Sequence, residues 1–221
     1  KVINRPANIS GNLEPTVSAI KHALQAIEEV VETIVILQPT NPLRPKNLLK
    51  DCFNVYKENC CDSVFSVSKN NQKLGSIVSN KFYPFNYTKG QRSQDIEHLY
   101  FENGLIYIVN SKSVLKNEIM TAKGFPFVVD HKFAHVDIDT KEDFEYAQYL
   151  LNLEKERIKQ TGEKDLFFGM IGTDLQKLIE EAVMPYRGNK VKILYSSYAG
   201  LIGQDVTSIS KEVHTKIIQT L

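Results

Sequence analysis

The apolar positions of the chain follow two rhythms in alternation. From Thr16 to Val30, Val17, Ile20, Ala23, Leu24 and Ile27 recur at helical spacing, with Pro15 just ahead marking the start of the helix. Thr33-Ile34-Val35-Ile36-Leu37 is then a continuous apolar run rich in β-branched residues, which predicts a strand buried on both faces in a mainly parallel sheet. A second helical face follows in Leu48, Leu49, Cys52, Phe53 and Tyr56. Strands are expected at Ser63–Val67 and Gly104–Val109, with a hairpin or edge strand at Ser76–Val78. Residues 80–98 are polar, aromatic and irregular, and read as a surface loop or arm. Beyond them, Ser113–Glu118 predicts a short helix and Phe125–Val129 a loop or strand, while the apolar-rich run Phe133–Thr140 reads as a strand end, with the strand at Val136–Asp139. Thr140-Lys141-Glu142-Asp143 opens another helix. Thr140 is suited to cap it, and the acidic residues suit its positive end. Phe144, Ala147, Leu150, Leu151 and Leu153 continue its apolar face.

This order predicts an α/β fold, a mainly parallel sheet flanked by helices. The character changes after Glu154, so residues 1–154 are read as one domain and 155–221 as a linker and C-terminal α/β appendage. Within the appendage, residues 155–164 are charged and read as a helix end or linker. Asp174–Val183 reads as an amphipathic helix, Lys190–Tyr195 as a strand and Asp205–Leu221 as a helix. Gly200 and Gly203 fit either structural turns or a phosphate at a helix N-terminus, and without a lysine nearby structural turns are the better reading.

Composition narrows the function classes. Among 221 residues, 42% are hydrophobic and 24% charged, as in an ordinary globular protein. A formal net charge of +1 gives no electrostatic argument for nucleic acid or a membrane surface, and no apolar run is long enough to span a bilayer. Cys52, Cys60 and Cys61 form neither a disulfide framework nor a zinc site, and suit a reducing cytoplasm.

Two segments carry candidate chemistry. Gln38-Pro39-Thr40-Asn41-Pro42-Leu43-Arg44-Pro45 holds three prolines, which make it a rigid loop at the carboxyl end of the first strand. Ligands of open α/β sheets bind at that end. In Asp137-Ile138-Asp139, residues two apart on an extended chain point the same way, so the two carboxylates project together while Ile138 faces the core. A hard divalent cation, completed by phosphate oxygens, would relieve their repulsion. The alternative is a solvated strand end leading into a helix.

Four segments in this order resemble the CMP-sialic acid synthetase (acylneuraminate cytidylyltransferase) family, whose relatives act on legionaminic and pseudaminic acids. They are Arg5-Pro6-Ala7, Leu37-Gln38-Pro39-Thr40-Asn41-Pro42-Leu43-Arg44, Glu102-Asn103-Gly104-Leu105-Ile106-Tyr107, and Asp137-Ile138-Asp139-Thr140 with Glu142-Asp143 after it. The resemblance runs from Arg5 to Leu153. It implies a three-layer nucleotidyltransferase fold. It also implies transfer of CMP from CTP to a sialic-type 2-keto sugar acid with release of pyrophosphate, and Mg2+ held by Asp137 and Asp139. The family forms homodimers, with residues 80–98 as the arm reaching the partner's site.

The same resemblance distributes further roles. Gln38 falls on a sugar-acid contact, or else braces its loop. Arg5 falls on a nucleotide contact, or else is a solvated surface arginine. Arg92, aligned across one inserted residue, would join the catalytic groups by reaching the sugar carboxylate or a phosphate; otherwise it is an exposed loop charge. Asn103 meets substrate or braces the loop, and Gly104 lets backbone come close. Tyr107, expected on the same side as Leu105, is a substrate contact or core. Thr16 falls near a nucleotide-contacting serine, or serves the helix start.

The chain also departs from the family pattern. Asn41 stands where serine is commoner, and Met120-Thr121 replaces an aromatic pair. The basic, glycine-containing loop that wraps the triphosphate in the family would precede Arg5 and is not seen. The chain as given is therefore expected to be N-terminally truncated and to bind CTP poorly, with impaired turnover. The alternative function is a non-catalytic homologue, a dimerisation or sugar-binding module.

Overall fold

The computed structural model describes residues 3–11, 13–28, 30–38, 40–162, 166–168 and 191–195. In chain order they form α1 (Thr16–Gln25), β1 (Thr33–Leu37), β2 (Leu43–Pro45), α2 (Leu48–Glu58), β3 (Ser63–Asn70), β4 (Gly75–Val78) and β5 (Lys81–Pro84). There follow β6 (Leu99–Asn110), α3 (Ser111–Leu115), β7 (Gly124–Val128), α4 (Lys141–Thr161), β8 (Leu166–Phe168) and β9 (Val191–Tyr195). The expected helices at 174–183 and 205–221, and the glycines at 200 and 203, lie outside the described residues.

β1 is buried at all five positions because it is covered on both faces. Ile34 and Ile36 pack with Val17 and Ile20 of α1, Val109 and Val114. Val35 and Leu37 face the other way, onto Leu48, Leu49, Cys52, Phe53 and Tyr56 of α2. The central sheet runs β7-β3-β6-β1-β9. β3 pairs parallel with β7, and β1 parallel with β9, while β6 is antiparallel to both β1 and β3. Four strands thus share one direction and β6 opposes them. The result is a mixed α/β fold with a mainly parallel sheet between helices, as the alternating pattern predicts.

α4 packs through a third cluster, in which Ala147 and Leu150 meet Leu43, Phe133 and Val136. Glu154, where the sequence reading places a boundary, lies inside this helix. In the following segment, β8 pairs with β2 and β9 extends the central sheet beside β1. β4 and β5 form a hairpin turned by Ser79 and Asn80, both at positive φ, as a two-residue hairpin turn requires. The region from Asn80, expected to be irregular, thus contributes a strand, and the hairpin stands off the core with every residue of β4 exposed. Among the described residues, no helix is long and apolar enough to cross a membrane.

The expected strand at Val136–Asp139 is not formed. Residues 132–135 make a 3-10 turn, started by the His131 side chain accepting the Phe133 N–H. Residues 136–138 then run extended without a ladder, because the Ile138 N–H is taken by the Thr40 carbonyl at 2.8 Å. The alternation survives: Val136 is buried and Asp137 exposed, Ile138 half-buried and Asp139 exposed.

Candidate functional site

The loop after β1 is tied from inside. Arg44 is 3% exposed, and its Nε donates to the Leu105 carbonyl at 2.7 Å while Nη2 donates to the Gln38 carbonyl at 2.6 Å. The Asn41 N–H returns to the same Gln38 carbonyl at 3.2 Å. Asn41 is fully buried, and its Nδ2 donates to the Asn103 carbonyl at 3.0 Å and to the Val136 carbonyl at 2.9 Å. Buried polar groups are tolerable only when hydrogen-bonded, and these bonds span the loop, β6 and the carboxylate segment. Nothing local in the sequence assigns Asn41 or Arg44 this role. Their place in a proline-stiffened loop was the signal available.

β6 bends where it passes this loop. Its pairing with β3 jumps from Phe65–Tyr107 to Val67–Glu102, so Asn103–Ile106 stand opposite Ser66. Ser66 fills the gap, its Oγ accepting the Ile106 N–H at 3.0 Å and donating to the Ile106 carbonyl at 3.2 Å. Asn103 is buried. Its Nδ2 donates to Ser68 Oγ at 2.9 Å, and its Oδ1 accepts the Leu105 N–H at 3.2 Å. Its carboxamide is thus engaged in bracing the bulge. Gly104 sits at φ 70°, and a Cβ there would meet Gln38 Oε1 and come within 2.6 Å of Asn41 Oδ1. The Gln38 side chain therefore lies directly over the glycine backbone. The bulge also corrects one expectation: Leu105 joins the α2 cluster, whereas Tyr107 packs on the α1 side, so the two do not share a face. Tyr107 donates its hydroxyl to Glu102 Oε2 at 3.3 Å.

Asp137 and Asp139 stand beside this loop. Loss of hydration raises the Asp137 carboxyl above its usual range. A bond with the Thr40 side chain opposes the rise, and the Asp139 and Asp143 carboxylates add to it. Asp143 itself is engaged in the α4 cap, where it exchanges hydrogen bonds with Thr140 in a capping box and accepts the Asp139 N–H at 3.2 Å. Among the described residues no third histidine, cysteine or acid completes a cage around the pair. Two exposed carboxylates are a donor set of the kind that suits Mg2+, which binds through one or two carboxylates and keeps oxygen ligands from water and phosphate. Behind the pair, Glu154 is 1% exposed. It accepts from Lys132 Nζ at 3.0 Å and from Arg157 Nη2 at 2.6 Å, which fastens the 3-10 turn to α4.

The remaining predicted residues lie apart from these ties. Arg5 is half-buried, and its Nε and Nη2 are buried without a hydrogen-bond partner. Thr16 is the first residue of α1 behind Pro15, which gives no side-chain cap. Arg92 is exposed and paired to Asp95 by bonds of 2.7 and 3.1 Å, in the long segment between β5 and β6.

No family model matches the chain. Among curated proteins, the N-acylneuraminate cytidylyltransferase of Streptococcus agalactiae serotype III is 30% identical over 149 residues, 65% of this chain and 36% of that protein. The pseudaminic acid cytidylyltransferase of Campylobacter jejuni is 25% identical over 161 residues, 69% of each. The chain thus spans about a third of the length of the streptococcal relatives it matches. Among solved structures, the 4-diphosphocytidyl-2C-methyl-D-erythritol synthase of Anaerococcus prevotii is 13% identical, covering 89% of this chain and 63% of that one at a TM-score of 0.34. The curated relatives are CMP-transferases of sialic-type sugar acids, in line with the resemblance read from the four segments.

Proposed function

We propose that this chain carries the site of a nucleotidyltransferase that moves CMP from CTP to a nonulosonic, sialic-type acid. The observation that carries the reading is the hydrogen-bonded union of three segments at the carboxyl end of β1. The Gln38 loop, the Asn103–Gly104 bulge and the Asp137–Asp139 loop are joined through Asn41 and Thr40. In the reaction the anomeric hydroxyl oxygen of the sugar acid bonds to the α-phosphorus, the bond to the bridging oxygen breaks, and pyrophosphate leaves with its electron pair. The hydroxyl proton passes to a carboxylate or to water.

Such chemistry asks for positioning and charge neutralisation rather than covalent help. Asp137 and Asp139 would hold Mg2+, which supplies that neutralisation at the phosphates. The Gln38 carboxamide, able to donate and accept, suits a hydroxyl-rich sugar acid. Asn103 and Gly104 shape the floor beneath it, and Tyr107 flanks the strand end. Arg5, with two buried nitrogens lacking an acceptor, suits the nucleotide phosphates, and Thr16, at the start of α1, would contact the nucleotide. Arg92 belongs to the arm, whose exposed Phe82, Tyr83 and Phe85 suit a homodimer contact that would bring it to a neighbouring site.

The test is pyrophosphate release by the complete protein with CTP, Mg2+ and a panel of nonulosonic acids. Turnover with one or more of them is expected, and Asp139→Asn is expected to abolish it with an unchanged circular dichroism spectrum. An Asp139→Asn protein of full activity would remove the metal assignment. Binding of a sugar acid without any release would favour the non-catalytic module.

A further inference from the structure

We propose that Asn41 is a positioning residue for the metal, setting the Asp137–Asp139 pair against the Gln38 loop. This rests on the reading of that pair as a Mg2+ site. Asn41 has two amide protons and both are committed: one to the Asn103 carbonyl, the other to the carbonyl of Val136, the residue directly before Asp137. Its Oδ1 faces the Gly104 backbone, and its own N–H holds the Gln38 carbonyl. The next residue back, Thr40, takes the Ile138 N–H between the two carboxylates. The carboxylates therefore hang from a segment tied to the loop at two successive residues, and the one fully buried carboxamide, that of Asn41, also ties it to β6. The 3-10 turn and the α4 cap hold the ends of that segment, the Thr40 carbonyl holds Ile138 in its middle, and Asn41 holds the carbonyl directly before Asp137.

The residue type matters. A serine has one hydroxyl proton and can satisfy only one of the two carbonyls. An alanine satisfies neither and leaves both buried acceptors without this donor. Groups that orient ligating carboxylates typically change metal affinity by about 10- to 100-fold when removed.

The probe is Mn2+, followed by electron paramagnetic resonance titration of the complete protein in the presence of CTP. Asn41→Ala is expected to weaken Mn2+ binding by about 10-fold or more, and Asn41→Ser by less. Val109→Ala, a truncation in the buried α1 cluster, serves as the stability control. It is expected to lower the melting temperature while leaving Mn2+ affinity as in the wild type, a separation that a merely structural Asn41 would not produce. A folded Asn41→Ala protein with wild-type Mn2+ affinity overturns the proposal. So does a folded Asn41→Ser protein of wild-type affinity, should the alanine variant fail to fold. An Asp139→Asn protein that binds Mn2+ like the wild type removes the metal site itself, and this inference with it. Loss of binding in Asp139→Asn beside none in Asn41→Ala sinks the positioning role alone.

Discussion

At Gly104 two costs coincide for any side chain. The φ of 70° is a conformation that L-residues rarely adopt, and the space a Cβ needs is held by the Gln38 side chain and Asn41 Oδ1. Gly104→Ala is therefore expected to destabilise the fold by about 1–3 kcal/mol, read as a lower urea midpoint with unchanged slope. An unshifted midpoint would mean that the Gln38 loop yields freely. The need for a glycine beside Asn103 was legible in the Asn-Gly pair. The fate of the Asn103 carboxamide was not, because Ser68 becomes its partner only through the offset pairing of β3 and β6. The same offset defeats the simple two-residue alternation that would put Leu105 and Tyr107 together. Asn41 and Arg44 were visible in an unusual loop, yet the acceptors that tie them to the rest of the site are 61 to 95 residues away, and no local pattern names such partners.

Among the elements, α4 shows what local chemistry can tell. Thr140 and Asp143 lie three apart, and they form the reciprocal cap that the spacing predicts. The segment before it shows the limit. Phe133-Ala134-His135-Val136-Asp137-Ile138-Asp139 alternates like a strand, but a strand needs a neighbour, and here the available acceptor is a loop carbonyl. The turn is instead fixed to α4 by Glu154. Hydrogen bonds from Arg157 lower its carboxyl below the usual glutamate range against the opposing effect of burial, and Lys132 adds to the lowering. Since the folded value is depressed, the contribution is fully present above the ordinary glutamate value of about 4.3 and fades as pH falls through the folded value. Glu154→Gln is expected to cost about 2 kcal/mol near pH 7, because charge-assisted bonds weaken to neutral ones beside partly solvated cations. In thermal melts the gap between wild type and variant should narrow below about pH 4. A gap that stays constant with pH would show that the carboxylate charge contributes nothing.

For the whole molecule, the alternation of apolar runs was enough to indicate a mainly parallel sheet with both faces covered, since a fully buried β1 admits little else. The strand order β7-β3-β6-β1-β9 was beyond it, because antiparallel β6 enters between β3 and β1 from far along the chain. β9 joins at the far side after a boundary that composition alone had suggested. The bulge in β6 has a further consequence at this scale. Residues 105–109 lie in the covered sheet with Leu105, Ile106, Ile108 and Val109 at 0% exposure, whereas Tyr100 and Phe101 across the bulge are 52% and 37% exposed. One continuous strand is therefore expected to belong to two cooperative units. In native-state hydrogen exchange, amides of residues 106, 108 and 109 are expected to open only with global unfolding, and those of residues 99–102 through a cheaper local fraying. Equal protection on both sides would show a single unit. With the fraying confined to residues before Asn103, the outer ribbon would loosen first, and the Arg44 bond to Leu105 and the Ser66 bonds to Ile106 would outlast it.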